Sequence, residues 1–275
     1  MTTPALVRRI EIDGRPATAE NLLWPALVNT GHFTAMQVRG GKVRGIDLHL
    51  DRLDAATREL FGRGLDGERV RGLIRHILRG DPAGASVIDD ASVRVHVHAP
   101  EGEPSLMVTV RPPTVLPAAM ADRARALMSV PYQRPFAHIK HLGGFGQARY
   151  GELARRAGFD DALLTGPGGQ ISEGAVTNIA FCERTPGGPR IVWPNAPHLA
   201  GITMRLIEAR LPAAGLPTAH APVTLADLPS YTAAFVTNAW GVSPVRRVDS
   251  VAYAVDEKLM ATVAGVYEEV PWDTV

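Results

Sequence analysis

The stretch from Ala137 to Phe181, AHIKHLGGFGQARYGELARRAGFDDALLTGPGGQISEGAVTNIAF, constrains this chain more than any other. A short strand-like run ends at Lys140, and a helical pattern follows from Gln147 to Ala157. The strand DALLT comes next, then a Gly-Pro-Gly-Gly turn, and Glu173 lies on the glycine-rich turn that feeds the strand AVTNIAF. Strand, helix, strand, turn and strand in that order belong to a mixed α/β chain.

Lys140 and Glu173 are thus held on neighbouring elements, and such a pair suits one chemistry. A lysine amine can form a Schiff base with pyridoxal phosphate, while a carboxylate keeps the pyridine nitrogen protonated so that the ring can take up electrons. The bland alternative is a surface lysine at a strand end and a turn glutamate, and spacing alone leaves both open.

Composition narrows the class. The chain has 275 residues, 45% hydrophobic and 21% charged, which is the balance of a globular protein with material for one large domain or two ordinary ones. A formal net charge of +1 gives no electrostatic argument for nucleic acid or an anionic membrane. Cys182 is the single cysteine, so no internal disulfide can form and a reducing cytoplasm is the expected home. The start, MTTPALVRRIEIDG, lacks the apolar segment of a signal peptide, and no uncharged apolar run is long enough to span a bilayer.

In chain order, Leu6 to Ile12 reads as a strand closed by Asp13-Gly14. His32 to Val43 reads as a hairpin turning at Gly40-Gly41. A helix from about Asp47 places Ile46, Leu50, Leu53, Leu60 and Phe61 near one face, with His49 and Arg52 three apart. A second helix, Glu68 to Arg79, carries Arg69, Arg71, Arg75 and Arg79; with no aromatic residues among them, these read as a solvated face. Ala91 to Ala99 alternates Val93, Val95 and Val97 with Arg94, His96 and His98, and Ser105 to Arg111 is its antiparallel neighbour. His96 and His98 could seed a zinc site, but the spacing sets no third ligand, and no metal is expected. Pro112-Pro113 and Pro117 form a stiff connector, giving an expected first domain over 1–113, a connector over 114–120 and a larger domain over 121–275 carrying Lys140. Further on come a strand at Ala124 to Val130, an edge-like strand at Arg190 to Trp193 and a helix from Ile202 to about Leu211. Two strand runs over Ala233 to Val248, broken at TNAWG, and a helix from Asp256 to Val266 complete the chain. Backbone N–H groups at Gly201, Ile202 and Thr203 favour an anion at the start of the 202 helix.

Six blocks in order carry a resemblance: HFTAMQVRGGKV, HLDRL, IKHL, GFDDALLTGPGGQISEGAVTNIAF, AGITMRLI and TNAWGVSPV. Over nearly its whole length the chain resembles the class IV aminotransferases, the pyridoxal-phosphate enzymes of fold type IV. That group includes branched-chain and D-amino acid aminotransferases, (R)-amine transaminases and aminodeoxychorismate lyase. The resemblance implies a small N-terminal α/β domain and a larger C-terminal, mixed β-barrel-like domain with flanking helices, the cofactor lying between them, in a homodimer or larger assembly. It implies that Lys140 is the Schiff-base lysine and proton carrier and that Glu173 is the partner of the pyridine nitrogen. Arg52 would hold the phosphate with Ile202 and Thr203, and Asn238 or its neighbour Thr237 would complete that cup.

Departures from the pattern bear on substrate. Phe145 stands where relatives often carry a tyrosine that bonds the cofactor's phenolic oxygen. Gln37 stands where many carry Arg or Lys, and the strand after Arg94 ends HVHAP, where relatives often show arginine then glycine. A pocket with Gln37, His96 and His98 implies a different acid, or an amine lacking a carboxylate at the usual place. The expected reaction is exchange of an amino group between an amino acid or amine and a 2-oxo acid. The second reading is elimination by an aminodeoxychorismate lyase, toward which KHL, FTA and TNA lean. The third is a pseudoenzyme that keeps the fold as a binding module.

Overall fold

The structure is a computed structural model that describes residues 7–28, 30–80 and 86–275. By internal contacts the chain forms two compact units. One takes in the described residues up to Val115, with Ile139–Gly143 and Pro271–Val275; the other takes in Leu116–His138 and Gly144–Val270.

In the first unit the elements are β1 (Arg9–Ile12), β2 (Arg15–Pro16), α1 (Leu23–Leu27), β3 (His32–Val38), β4 (Lys42–Arg44), α2 (Ile46–Phe61), α3 (Gly67–Arg79), β5 (Ala91–His98) and β6 (Ser105–Arg111). The sequence-predicted first strand begins at Arg9, and Leu6 lies outside the described residues. Five strands pair antiparallel in the order β2-β1-β6-β5-β3. The period-two pattern decides which face is buried: Met36, Val38, Val93, Val95, Val97, Leu106, Val108 and Val110 pack against Ile46, Leu53, Val70, Ile74 and Ile77 of the two helices. Phe33, Gln37, Arg94, His96 and Arg111 alternate with them on the other face.

Gly40 and Gly41 both take positive φ, 54° and 70°, as a two-residue hairpin turn that follows the strand twist requires. The N-terminus of α2 is closed by Asp273, whose carboxylate accepts from the Ile46 N–H at 3.1 Å. On α3, Arg69 pairs with Asp13 at 2.7 Å and Arg71 with Asp47 at 2.5 Å, so two of its arginines meet acidic side chains at the surface.

The second unit contains α4 (Met120–Arg123), β7 (Arg125–Val130), α5 (Phe145–Arg156), β8 (Asp161–Thr165), β9 (Ile171–Gly174), β10 (Asn178–Thr185), β11 (Gly188–Pro194), α6 (Ile202–Glu208), β12 (Thr218–Ala221), β13 (Ala233–Asn238), β14 (Gly241–Val248), β15 (Val251–Ala252) and α7 (Glu257–Glu268). Its mixed sheet runs β12-β11-β10-β13-β14-β7-β8-β9, with β15 on β14. β9 returns beside β10 and β11, so the sheet curls. Inside the curl lie Leu163, Ile171, Ile179, Phe181, Val192 and Val236. On its outer face Trp193 and Phe235 meet edge to face at 5.6 Å, beneath Met204, Ile207, Met260 and Val263 of α6 and α7.

Three expectations are corrected. Glu173 lies on strand β9 instead of a turn, since the tight turn is over by Gly169. The following strand starts at Asn178, not Ala175, because the Gly174 N–H donates to Thr177 O at 2.8 Å and closes a bend there. The helix from Ile202 ends at Glu208, and Pro212 falls in a separate short 3₁₀ turn. By internal contacts the segment Ile139–Gly143, with Lys140, groups with the first unit. There the Phe33 N–H donates to Lys140 O and the Leu142 N–H to Gly31 O, both at 2.9 Å, which attaches the lysine segment beside the start of β3. Among the described residues no helix is long and apolar enough to cross a membrane.

Candidate active site

In the first unit, Lys140 places its Nζ 4.8 Å from the centroid of the Phe33 ring. Phe33 also stacks on His96 at 5.4 Å, His96 on His98 at 6.5 Å, and the Arg94 guanidinium stands 5.6 Å from the Phe33 ring. Two of the predicted substrate residues, His96 and His98, therefore share one aromatic column with the ring under Lys140. Gln37 lies on the same sheet face, but its amide is engaged: Nε2 donates to Ser92 Oγ at 2.8 Å, and Oε1 accepts from the Thr114 N–H at 3.0 Å.

Arg52 donates to Thr34 Oγ1, and Thr34 Oγ1 lies 2.6 Å from His49 Nδ1. A guanidinium can only donate, so the Thr34 hydroxyl accepts from Arg52 and turns its own proton to His49. His49 Nδ1 is then an acceptor, and its proton sits on Nε2. Burial holds the His49 imidazole well below its usual range, with Arg52 and Lys140 adding repulsion. Burial likewise pushes His96 down to about 3, helped by Arg94, and His32 down to about 4, helped by His98 and Arg52. These imidazoles are neutral at pH 7, and the positive charge of the region rests on its arginines. Among the described residues no group of three or more His, Cys, Asp or Glu is placed to hold a metal.

In the second unit, Glu173 is buried and both its oxygens are engaged. Oε1 accepts from Arg134 Nε at 3.0 Å, and Oε2 accepts from the Leu199 N–H at 3.2 Å. The Arg134 side chain is itself 3% exposed and also donates to Ala137 O, so the pair is shielded from solvent. Asn178 donates to Leu199 O at 2.6 Å, so Leu199 is gripped at both ends of its backbone by polar side chains. Any Cβ on Gly201 would collide with Asn178 Oδ1, which leaves glycine as the residue that fits before α6.

At the start of that helix, Thr203 Oγ1 donates to Asn238 O at 2.8 Å, and Asn238 Oδ1 accepts from the Trp240 N–H at 2.9 Å. Thr237 stands beside Asn178 across the β10–β13 ladder. Its Oγ1 is buried and has no hydrogen-bond partner among the described residues. Ile202 is buried at the first helical position. Glu173, Ile202, Thr203, Thr237 and Asn238 thus converge within one unit, and Lys140 and Arg52 belong to the other. Phe145 is 82% exposed at the start of α5.

The profile of the family described as amino-transferase class IV matches residues 31–248. The chain belongs to the class IV aminotransferases. Among solved structures, it is similar to a hypothetical aminotransferase from Mycobacterium tuberculosis in its PLP-bound form, with 18% identity, 95% of this chain and 98% of that chain covered, and a TM-score of 0.77. It is similar to 4-amino-4-deoxychorismate lyase from Pseudomonas aeruginosa, with 23% identity, 95% and 99% covered and a TM-score of 0.76. It is also similar to the branched-chain aminotransferase of Thermoproteus uzoniensis crystallised with norvaline, with 19% identity, 95% and 94% covered and a TM-score of 0.76. Among curated proteins none is similar enough in sequence to count as a match. The mixed α/β architecture with its curled sheet is the fold of type IV aminotransferases.

For a class IV chain, sequence reasoning passed over three polar residues, Thr34, Asn178 and Arg134, and placed His49 beside Arg52 without its part as an acceptor in the Arg52 network. Asn178 ends the quoted VTN and His49 opens HLDRL, so a signal existed for both. Arg134 sits in an irregular segment, QRPF, with no periodicity to mark it. Only its burial against Glu173 reveals it.

Proposed function

We propose that this class IV chain is a pyridoxal-phosphate-dependent transaminase that moves an amino group between an amino acid or amine and a 2-oxo acid. The observation that carries the reading is the buried, arginine-paired carboxylate of Glu173, in a chain of this family that also presents Lys140. The residues present suit the cofactor. A carboxylate with two of its roughly four lone-pair sites engaged can accept one more N–H donor. The buried, unpartnered Thr237 hydroxyl and the Arg52 guanidinium, oriented by Thr34, suit a phosphate. When bound, the cofactor supplies an electron sink for the bonds at the substrate's α-carbon.

The chain's own residues supply the rest. Lys140 would hold the cofactor through its amine and would carry a proton at Nζ. Glu173 would hold a proton on the cofactor's ring nitrogen. Arg52 of the first unit and, in the second, Thr237, Thr203 and the N–H groups at Ile202 and Thr203 are the residues that would hold the phosphate. His96 and His98, neutral and stacked, would offer the substrate hydrogen-bonding walls instead of charges. Gln37 and Ser92 bound the same sheet face. We further propose a homodimer working in the cytoplasm, in keeping with the single cysteine, Cys182, which is buried and free.

The lyase reading keeps the same cofactor machinery and is favoured by the likeness to the Pseudomonas aeruginosa enzyme. The visible spectrum of protein reconstituted with pyridoxal phosphate, before and after L- and D-amino acids and (R)-amines, separates the two. Bleaching of the yellow band by one donor supports transamination, whereas pyruvate release from aminodeoxychorismate with no acceptor supports the lyase. In Lys140→Ala turnover is abolished in a folded protein that still binds cofactor non-covalently, and retained turnover removes Lys140 from the mechanism.

A further inference from the structure

Glu173 is the only acid so far given a role in the chemistry, and the group that contacts it most directly is a cation. Arg134 Nε donates to Glu173 Oε1 at 3.0 Å, and the two side chains are 3% and 6% exposed. The other end of the guanidinium donates to Ala137 O, three residues before Lys140 in sequence. The second carboxylate oxygen is held by the Leu199 N–H. The carboxylate is therefore clamped on two sides by donors, one of them a guanidinium, with both side chains of the pair buried.

That arrangement matters for a single shared proton. A buried carboxylic acid facing a pyridine nitrogen can keep the proton on oxygen, as a neutral pair, or pass it to nitrogen, as an ion pair. Low polarity favours the neutral pair, because burial disfavours charge. A guanidinium bonded to the carboxylate reverses this preference. It stabilises the ionised oxygen by a charge-assisted bond. It also lies nearer to the carboxylate than to any group bound beyond it, so its charge repels the proton more strongly on oxygen than on nitrogen.

We propose that Arg134 is a positioning residue: bonded to Glu173, it orients the carboxylate and drives the shared proton onto the ring nitrogen of the cofactor. Arg134 does not touch the reacting atoms. It acts through Glu173, and the proposal rests on the pyridoxal-phosphate reading above. No bond is made or broken except O–H against N–H, and the proton count is unchanged.

The test uses the full-length holoprotein loaded with cofactor labelled with ¹⁵N in the ring, whose chemical shift reports whether that nitrogen carries a proton. Arg134→Met and Arg134→Gln both remove the charge, and Gln also keeps a donor, so that at least one variant folds. In either, the ¹⁵N signal moves from the protonated toward the unprotonated position. The rate constant kcat falls about tenfold to a hundredfold, the scale of one charge-assisted hydrogen bond, with KM for the amino donor little changed. Arg134→Lys keeps the cation and retains the wild-type signal. A folded neutral variant whose ring nitrogen stays protonated and whose kcat matches wild type overturns the proposal, as does an Arg134→Lys signal no different from that of Arg134→Met. Glu173→Gln is the control for the underlying reading. If that variant leaves the nitrogen protonated, the role of Glu173 itself is wrong; if it shifts the signal while the Arg134 variants do not, only the role of Arg134 fails.

Discussion

Thr34 shows how much depends on one hydroxyl. It accepts from Arg52 and donates to His49, so it fixes both the direction of a guanidinium and the tautomer of a buried imidazole. Valine has nearly the same shape and neither bond. In Thr34→Val the fold is retained, because Thr34 is buried among atoms that valine also fills, but Arg52 is no longer oriented and His49 Nδ1 loses its donor. The dissociation constant for pyridoxal phosphate then rises about tenfold, equivalent to one hydrogen bond to a charged group. Fluorescence titration of the apoprotein reads it, and an unchanged constant would remove Thr34 from the phosphate site. The HLDRL segment was legible as a helix opening with His49 and Arg52 on one side. That a threonine from the neighbouring strand joins them was not, because Thr34 and His49 meet only when α2 packs on the sheet.

Helix α6 enters its site through a single glycine. Gly201 has an ordinary φ of −66°, so conformational freedom does not explain it. Space does: Asn178 Oδ1 occupies the volume that a Cβ would need, while Asn178 Nδ2 holds Leu199 O. Gly201→Ala therefore pushes apart α6 and β10, at a cost of roughly 1–3 kcal/mol as for other overpacked sites. The fall in urea midpoint measures this, and Gly201→Ala combined with Asn178→Ala recovers part of it if the collision is the cause. An equal midpoint in Gly201→Ala alone would mean that the two elements yield freely. The sequence marked AGITMRLI as a helix start but gave two features wrongly placed ends. Helix α6 stops at Glu208, and Glu173 sits within a strand because the bend that precedes β10 falls three residues later than the glycines imply.

Across the whole molecule, burial of neutral imidazoles ties stability to pH. In the unfolded chain these histidines take up protons near pH 6.5, whereas His32 in the native state does so only near 4 and His96 only near 3. Their contribution is fully present above pH 6.5 and is lost as the pH falls through the interval below it, since the unfolded state binds protons first. Asp161 acts in the opposite sense. Burial raises its carboxyl to about 6, so the native state holds a proton that the unfolded chain releases above about 4, and stability is gained as the pH falls from 6. The imidazoles of His32 and His96 outweigh the one carboxyl, and stability drops by on the order of 2–3 kcal/mol between pH 7.5 and 5. The depressed His49 acts in the same direction. Urea denaturation of the apoprotein at the two pH values measures this, and His32→Gln flattens the dependence. A stability that rises toward pH 5 would contradict the burial of these rings.

The sequence by itself determined the class of fold, the strand and helix runs and the identity of Lys140, Glu173 and Arg52 as the residues to watch. The strand and helix runs follow from local rules: period two for the valine strands, period 3.6 for α2 and α3, glycine where the hairpin at Gly40-Gly41 needs positive φ. Lys140, Glu173 and Arg52 were singled out by the resemblance to the class IV family. Tertiary structure alone decided what each of those residues touches. Arg134 lies in an irregular segment 39 positions from Glu173, and nothing local marks it as the partner of a buried carboxylate. Lys140 follows the connector in sequence but joins the first unit through two backbone hydrogen bonds to residues near the start of β3. Partnerships of that kind are long-range: they are fixed by which elements must cover one another to bury their apolar faces, and a polar side chain carries no periodic trace of the neighbour that this packing brings to it.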